Sequence, residues 1–275
     1  MSTQAEKAAR FLAAHRGTTP LLMPNAWDAG SAKIFESLGF EAIATTSSGH
    51  ASTLGRFDGE VSRDEVLEHA TELAAAVDIP VSCDFEDGFA DEPRTVAANV
   101  ELAVATGLAG CSIEDYTRRS GGQVYDVDLA AERVAAAAAV AHRGPVQFVL
   151  TARAENFIRG NPDLADTITR LQRYQEAGAD ALFAPGVTKA DDIRSVIESI
   201  DRPLSVLVLP GMPTIAELGA LGVGRISVGG TFAAVATGAV VAAARELRES
   251  GTYGFGALAN EGRAAMRDAF ADRAV

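Results

Sequence analysis

The sequence predicts an α/β fold, a single (β/α)8 TIM-type barrel with an extra C-terminal helix, and three observations carry that prediction. Short apolar runs rich in β-branched residues recur eight times along the 275 residues. Between them lie segments with helical periodicity and Ala, Leu, Glu and Arg composition. Helices stop at Gly or Pro immediately ahead of the next apolar run. Eight strictly alternating units with near-continuous apolar strands fit a closed parallel barrel better than an open doubly wound sheet, which favours no particular strand number.

Taken in order, Leu21–Pro24 is a strand followed by a helix over Ser31–Leu38, which Gly39 stops so that Ala42–Thr46 can begin. The long polar stretch Thr46–Ser62 leads into the helix Arg63–Val77, and Pro80 announces the strand Val81–Phe85. The helix Arg94–Ala105 ends near Gly107, ahead of Gly110–Ile113, and a second polar stretch, Asp115–Asp128, precedes the helix Leu129–His142. Gly144-Pro145 introduces Val146–Thr151, and the helix Asp163–Ala177 ends at Gly178 before Ala181–Ala184. Lys189–Ser199 gives way at Pro203 to Leu204–Leu209, Thr214–Leu221 at Gly222 to Arg225–Val228, and Phe232–Ser250 completes the eighth unit. Connections into strands are tight and connections out of them are long and polar, so function belongs on the face where the strands end. No linker interrupts residues 1–275, which form one domain. The stretch Thr252–Val275, helical in composition after Gly254-Phe255-Gly256, is an extension that packs on its own barrel or on a neighbouring subunit.

Composition narrows the function classes. With 48% hydrophobic and 22% charged residues the chain has ample core for a soluble globular protein. A net charge of -13 without any basic run argues against nucleic acid as a partner. It also means that an anionic substrate needs local positive charge, from a metal ion or an inward-facing Arg. Cys83 and Cys111 sit inside apolar runs without a C-x-x-C partner, which reads as reduced and cytoplasmic. The first fifteen residues are a short amphipathic stretch broken by Glu6, Lys7 and Arg10, unlike a signal peptide, and no apolar run has the length of a membrane span.

The strand ends carry the chemistry. Val81-Ser82-Cys83-Asp84-Phe85-Glu86-Asp87 closes one strand with three carboxylates, and an extended chain would put Asp84 and Glu86 on one face. The next strand ends in Glu114-Asp115, within reach of Asp84 across neighbouring staves. Like charges crowded there would repel, and a hard divalent cation offsets them; oxygen-only ligands favour Mg2+ or Mn2+. The alternative is that these acids cap helices or pair with Arg94, Arg118 and Arg119. Arg153, ending the strand after that, suits a substrate carboxylate or a developing oxyanion, or else pairs with Glu155 or Glu114. Thr45-Thr46-Ser47-Ser48-Gly49-His50 offers small residues whose backbone N–H groups can approach an anion.

Together these strand ends resemble the isocitrate lyase and phosphoenolpyruvate mutase superfamily, over nearly the whole chain from Leu22-Met23-Pro24-Asn25-Ala26-Trp27-Asp28 to Ser227-Val228-Gly229-Gly230. The resemblance implies that Ser48, Gly49 and His50 bind the substrate carboxylate and that Trp27 is an aromatic near it. It implies Asp84 as direct ligand of Mg2+ (or Mn2+), with Asp58, Glu86 and Glu114 holding the metal mostly through water, and Arg153 as the substrate-binding arginine. It further implies chemistry through a metal-bound enolate, with Arg153, Asp58 and Glu114 as catalytic residues. A homo-oligomer, tetramer or dimer, whose C-terminal helix crosses to a neighbour is also implied.

Departures from the pattern limit the assignment. The loop Tyr116-Thr117-Arg118-Arg119-Ser120-Gly121-Gly122-Gln123 lacks the Lys-Lys/Arg-Cys-Gly-His motif of the lyases, and it lacks the Lys-x-Asn of the mutases. Phe183-Ala184-Pro185-Gly186 replaces a His or Glu found in several branches. The chain therefore resembles the mutase-like branch. The leading expectation is a Mg2+-dependent lyase or decarboxylase for a small 2-oxo or 2-hydroxy (di)carboxylic acid, with the Asp58 loop and the Tyr116–Tyr125 loop closing over the substrate about Gly121-Gly122. The alternatives are a phosphoenolpyruvate or phosphonopyruvate mutase or hydrolase, and a non-catalytic barrel that binds a 2-oxo acid.

Overall fold

The apolar runs form the staves of one parallel sheet. The computed structural model describes residues 2–271. Its barrel strands are β1 (Leu21–Met23, resumed after Pro24 by Asn25–Ala26), β2 (Ile43–Thr45), β3 (Val81–Asp84), β4 (Gly110–Glu114), β5 (Val149–Arg153), β6 (Ala181–Phe183), β7 (Leu204–Leu207) and β8 (Arg225–Ser227). Neighbours follow sequence order and all run parallel. The seam is β1 itself. Leu21–Met23 pairs with β8, whereas Asn25–Ala26 pairs with β2, so the strand changes partner at Pro24 and the sheet closes. Proline has no N–H for a ladder, yet its carbonyl accepts from the Ala44 N–H at 3.0 Å. Asn25 fastens the seam, its Oδ1 accepting from the Val228 and Gly229 N–H groups and its Nδ2 donating to the Thr45 carbonyl.

The helices are α1 (Gln4–Ala14), α2 (Ala29–Ser37), α3 (Ser47–Thr53), α4 (Arg63–Ala76), α5 (Pro93–Val104), α6 (Val127–Ala141), α7 (Leu164–Glu176), α8 (Ala190–Glu198), α9 (Ile215–Leu221), α10 (Thr231–Arg245, extended by a π turn over Glu246–Ser250) and α11 (Gly256–Phe270). Several begin with capping boxes, as at Thr3/Glu6, Ser62/Glu65 and Thr214/Glu217, where side chains satisfy N–H groups that lack helical partners. Leu73, Leu108, Leu150, Leu171 and Leu182 are fully buried between sheet and helices, each stabilising the fold by roughly 1.5–3 kcal/mol.

Three features go beyond the expected units. The amphipathic N-terminal stretch is α1, which plugs the mouth where the strands begin: Ala8 and Phe11 pack on Leu21, Ala42, Ala109 and Val149. A Cβ on Gly110 would lie 3.1 Å from Phe11 and 2.4 Å from the Val149 carbonyl oxygen, so the plug and the strand together require glycine there. The polar stretch after β2 begins with a short helix, α3. The expected last helix, Phe232–Ser250, is α10 with its π turn, but Ala233 is its single buried residue, so it stands off the barrel instead of lying on it. Of the predicted extension Thr252–Val275, α11 lies along α2 of the same chain, and residues 272–275 fall outside the described range. No helix among the described residues is long and apolar enough to cross a membrane.

Candidate active site

A cavity of about 230 Å³ opens at the C-terminal ends of the strands, lined by Ser47, Ser48, Asp58, Asp84, Arg153, Glu155 and Arg159 near its mouth and by Ser82, Ser112 and Arg225 deeper in the barrel. Its wall holds three carboxylates and three guanidiniums. In a chain with net charge -13, the three guanidiniums offset the wall's own carboxylates and supply the cationic groups that an anionic substrate needs.

Arg153 is the hub. Pairing of β4 with β5 sets Glu114 opposite Arg153. The guanidinium bonds Asp84 Oδ1 through Nη1 at 2.8 Å, Glu155 Oε1 through Nη2 at 2.7 Å and Glu114 Oε2 through Nη2 at 3.2 Å. Burial alone would lower the Arg153 pKa, but Glu155, Glu114 and Asp84 hold it well above the ordinary arginine value. Asp84 Oδ2 accepts from the Ser47 N–H at 3.2 Å and Oγ at 3.0 Å, tying the first turn of α3 to β3. Behind this set, Arg159 bonds Glu155 at 2.9 Å and stacks over the Tyr116 ring at 3.8 Å. Burial pushes Glu114 well above the usual carboxylate range despite Arg153. Asp115 turns away into a buried network, accepting from the Glu155 N–H, Tyr174 hydroxyl and Arg170.

Several expected positions differ. The strand stops at Asp84 and Glu86 takes φ 46°, so the two-residue alternation that would align Asp84 with Glu86 ends before Glu86 is reached. Glu86 Oε2 instead meets Arg118 Nη1 at 2.9 Å, and Arg118 Nη2 reaches Asp58 Oδ2 at 2.6 Å, while Arg119 takes Asp87. Glu86 and Asp87 thus make arginine pairs of the kind weighed for the strand-end acids, and Asp58 shares Arg118 with Glu86. Glu114 lies behind Arg153 and off the cavity wall. His50 does not line the cavity either: its ring stacks on His69 at 3.8 Å, drawn to the outer helix α4. Trp27 stands edge-on to Phe35, and a Cβ on Gly49 would come 3.0 Å from its Cβ, so both residues form the packed rear of the Ser48 turn. Ser47, Arg159 and Arg225 were not singled out from sequence. Ser47 could have been found from the hydroxyl run that holds it; the two arginines carry no local signal.

The residues suit a hydrated divalent ion better than a dehydrated cage. Among the described residues no three His, Cys, Asp or Glu side chains converge as a metal cage. Glu86 Oε1, however, is buried with no hydrogen-bond partner, and burial and then the Asp84 charge raise its carboxyl to about 7. A buried carboxylate oxygen left open beside a second carboxylate is what a cation or its bound water satisfies. Mg2+ keeps several waters and needs one or two direct carboxylates. Both cysteines are core residues, with burial pushing Cys83 up to about 12, so neither supplies a thiolate.

A family model described as Phosphoenolpyruvate phosphomutase matches residues 11–248. The chain belongs to the phosphoenolpyruvate phosphomutase family. Within it, the chain is 36% identical over 247 residues to an uncharacterised protein of Mycobacterium tuberculosis, covering 87% of this chain and 91% of that one. It is 31% identical to oxaloacetate decarboxylase 1 of Pseudomonas fluorescens, over 76% of this chain and 74% of that enzyme. A crystal structure of a provisional lyase/mutase from Burkholderia cenocepacia superposes with TM-score 0.92 at 45% identity, covering 96% of each chain. This phosphomutase-family chain is therefore an enzyme of the isocitrate lyase/phosphoenolpyruvate mutase superfamily, whose lyases, decarboxylases, mutases and hydrolases act on oxo acids.

Proposed function

We propose that the enzyme is a Mg2+-dependent carbon–carbon lyase or decarboxylase for a small 2-oxo or 2-hydroxy dicarboxylic acid, working through an enolate. The observation that carries this reading is the meeting of Arg153 and Asp84, 2.8 Å apart, beside Ser47 and Ser48 in one cavity at the strand ends. Similarity to an oxaloacetate decarboxylase supports it. Asp84 would hold the ion directly, with Asp58 and Glu86 contributing through water and Glu114, expected in that set, acting instead through Arg153; the ion would supply Lewis acidity at the 2-oxo oxygen. Arg153 binds the same oxygen edge and stabilises the negative charge that the electrons of the breaking carbon–carbon bond place on that oxygen. Glu114 and Glu155 orient that guanidinium from behind. Ser48, at the start of α3, receives the substrate carboxylate. Asp58 is the wall carboxylate able to take or return a proton, held by Arg118. The Asp58 and Tyr116–Tyr125 loops exclude water so that the enolate is not quenched early.

Asp84→Ala tests the reading directly. Turnover of oxaloacetate and related 2-oxo and 2-hydroxy diacids, followed by proton NMR with Mg2+, is expected to fall at least about 100-fold. Retention of both turnover and Mg2+ affinity would sink it. A second reading, phosphoenolpyruvate or phosphonopyruvate mutase or hydrolase, is favoured by the family match; phosphorus NMR with both compounds decides, and no conversion of either removes it. The proposal also includes a homo-oligomer, because α10 leaves Val235, Val240 and Val241 exposed along a helix of mostly Ala and Val, a face that a second copy would cover.

A further inference from the structure

The floor of the cavity holds a guanidinium that no carboxylate balances. Arg225 opens β8 and points into the barrel, only 3% exposed. Its Nε donates to Ser205 Oγ at 2.9 Å, and its Nη1 meets Thr151 Oγ1 and His15 Nε2, each at 3.1 Å. His15 Nδ1 lies 2.7 Å from the Phe11 carbonyl, which assigns the ring proton to Nδ1 and leaves Nε2 as a neutral acceptor. All three partners are therefore uncharged. Among the described residues Arg225 makes no ion pair, and its Nη2 has no protein partner. Burial, and then the charge of Arg153, lower its pKa to about 9, so it remains protonated at neutral pH.

Two more groups face the same space. Ser82 and Ser112 are buried and line the cavity with Arg225, and neither hydroxyl bonds protein among the described residues. A buried cation with an open donor edge, beside two spare hydroxyl donors, lacks its counter-ion. The contrast with Arg153, which has three carboxylates, makes the deficit local to the floor.

We propose that this floor is an anion subsite that takes one carboxylate group, with Arg225 as its cation and Ser82 and Ser112 as its hydroxyl donors. The carboxylate belongs to the substrate. Arg225 touches Thr151, two residues before Arg153 on the same face of β5, or about 7 Å along the strand. A linear diacid held at Arg153 by its 2-oxo acid end would place its second carboxylate against Arg225. That choice of substrate rests on the function proposed above, whereas the existence of the subsite does not.

The test is calorimetric titration of the full chain without added Mg2+, using succinate, pyruvate and acetate as probes. Arg225→Gln is expected to weaken succinate at least about tenfold and to leave pyruvate unchanged; Ser82→Ala with Ser112→Ala should weaken succinate severalfold. If acetate binds as tightly as succinate and loses affinity equally in Arg225→Gln, the subsite stands but is filled by a separate carboxylate. Equal affinities of all three probes for wild type and a folded Arg225→Gln overturn the proposal. Should Arg225→Gln fail to fold, the double serine variant decides, and unchanged succinate affinity there overturns it as well. No step needs turnover, so an inactive protein with Arg225-dependent succinate binding refutes the lyase reading alone, and an active one without it refutes the floor alone.

Discussion

At the scale of single residues, Arg153 and Asp115 solve the same problem on opposite sides of the strand ends. Each offsets buried charge, but Arg153 faces the cavity and Asp115 faces the helices. Arg153→Met leaves Asp84, Glu114 and Glu155 without their shared cation, and removal of one partner of a buried ion pair costs roughly 3–5 kcal/mol. We expect that loss in urea denaturation together with loss of turnover. Tyr174→Phe removes a 2.6 Å hydrogen bond to Asp115 and is expected to cost about 1–3 kcal/mol, with kcat unchanged because Tyr174 does not reach the cavity. A drop in kcat with stability intact would show that the Asp115 network bears on catalysis. Asp84 and Arg153 were legible in sequence because a charged residue ending an apolar run has few other reasons to be there. The position of Glu86 was not, since its left-handed backbone breaks the alternation on which a sequence argument depends.

Among the elements, α1 carries a pH dependence. Burial, and then the neighbouring Arg225 charge, bring His15 from 6.5 down to about 3, so the folded chain holds it neutral while the unfolded chain protonates it below about pH 6.5. The unfolded state then binds more protons, and stability falls as pH drops from about 6.5 toward 3. His15 alone removes about 2 kcal/mol between pH 6.5 and 5. His69, lowered to about 4 chiefly by burial, acts in the same direction. Glu86 and Glu114, raised by burial, act in the opposite direction over the same range, so the His15 contribution is read as the difference between the melting curves of the wild type and His15→Gln, which should lose less stability on acidification; identical pH dependence in that variant would reject the assignment. The loop after β4 is also an element with its own order: Tyr116–Thr117 pairs antiparallel with Gln123–Val124 across Gly121 and Gly122, both at positive φ. The glycine pair was visible in sequence. The hairpin was not, because two-residue strands have no periodicity to read.

For the whole molecule, the exposed face of α10 bears on assembly. Val235 and Val240 are 64% and 68% exposed, and a patch of this kind marks an interaction surface. Analytical ultracentrifugation is expected to find a species heavier than the 28.6 kDa chain, and Val235→Glu with Val240→Glu to shift it toward monomer; a monomeric wild type would refute the oligomer. The barrel and its acidic strand ends were determined by sequence alone, since strand and helix periods, helix stops and strand-terminal charges are local properties that survive without knowledge of neighbours. Tertiary structure alone decided which charges meet. Arg118 bridges Asp58 and Glu86, 28 residues apart in sequence, and Arg225 reaches His15 from the far end of the chain. Those pairings depend on how the closed sheet brings strand ends, loops and plug around one axis, and no sequence pattern encodes a distance across a barrel. The arginines that join the strand-end acids, Arg118 and Arg153, were already in view in the sequence; Arg225, whose partners are all uncharged, was not, because only the closed barrel brings it to the floor of the cavity.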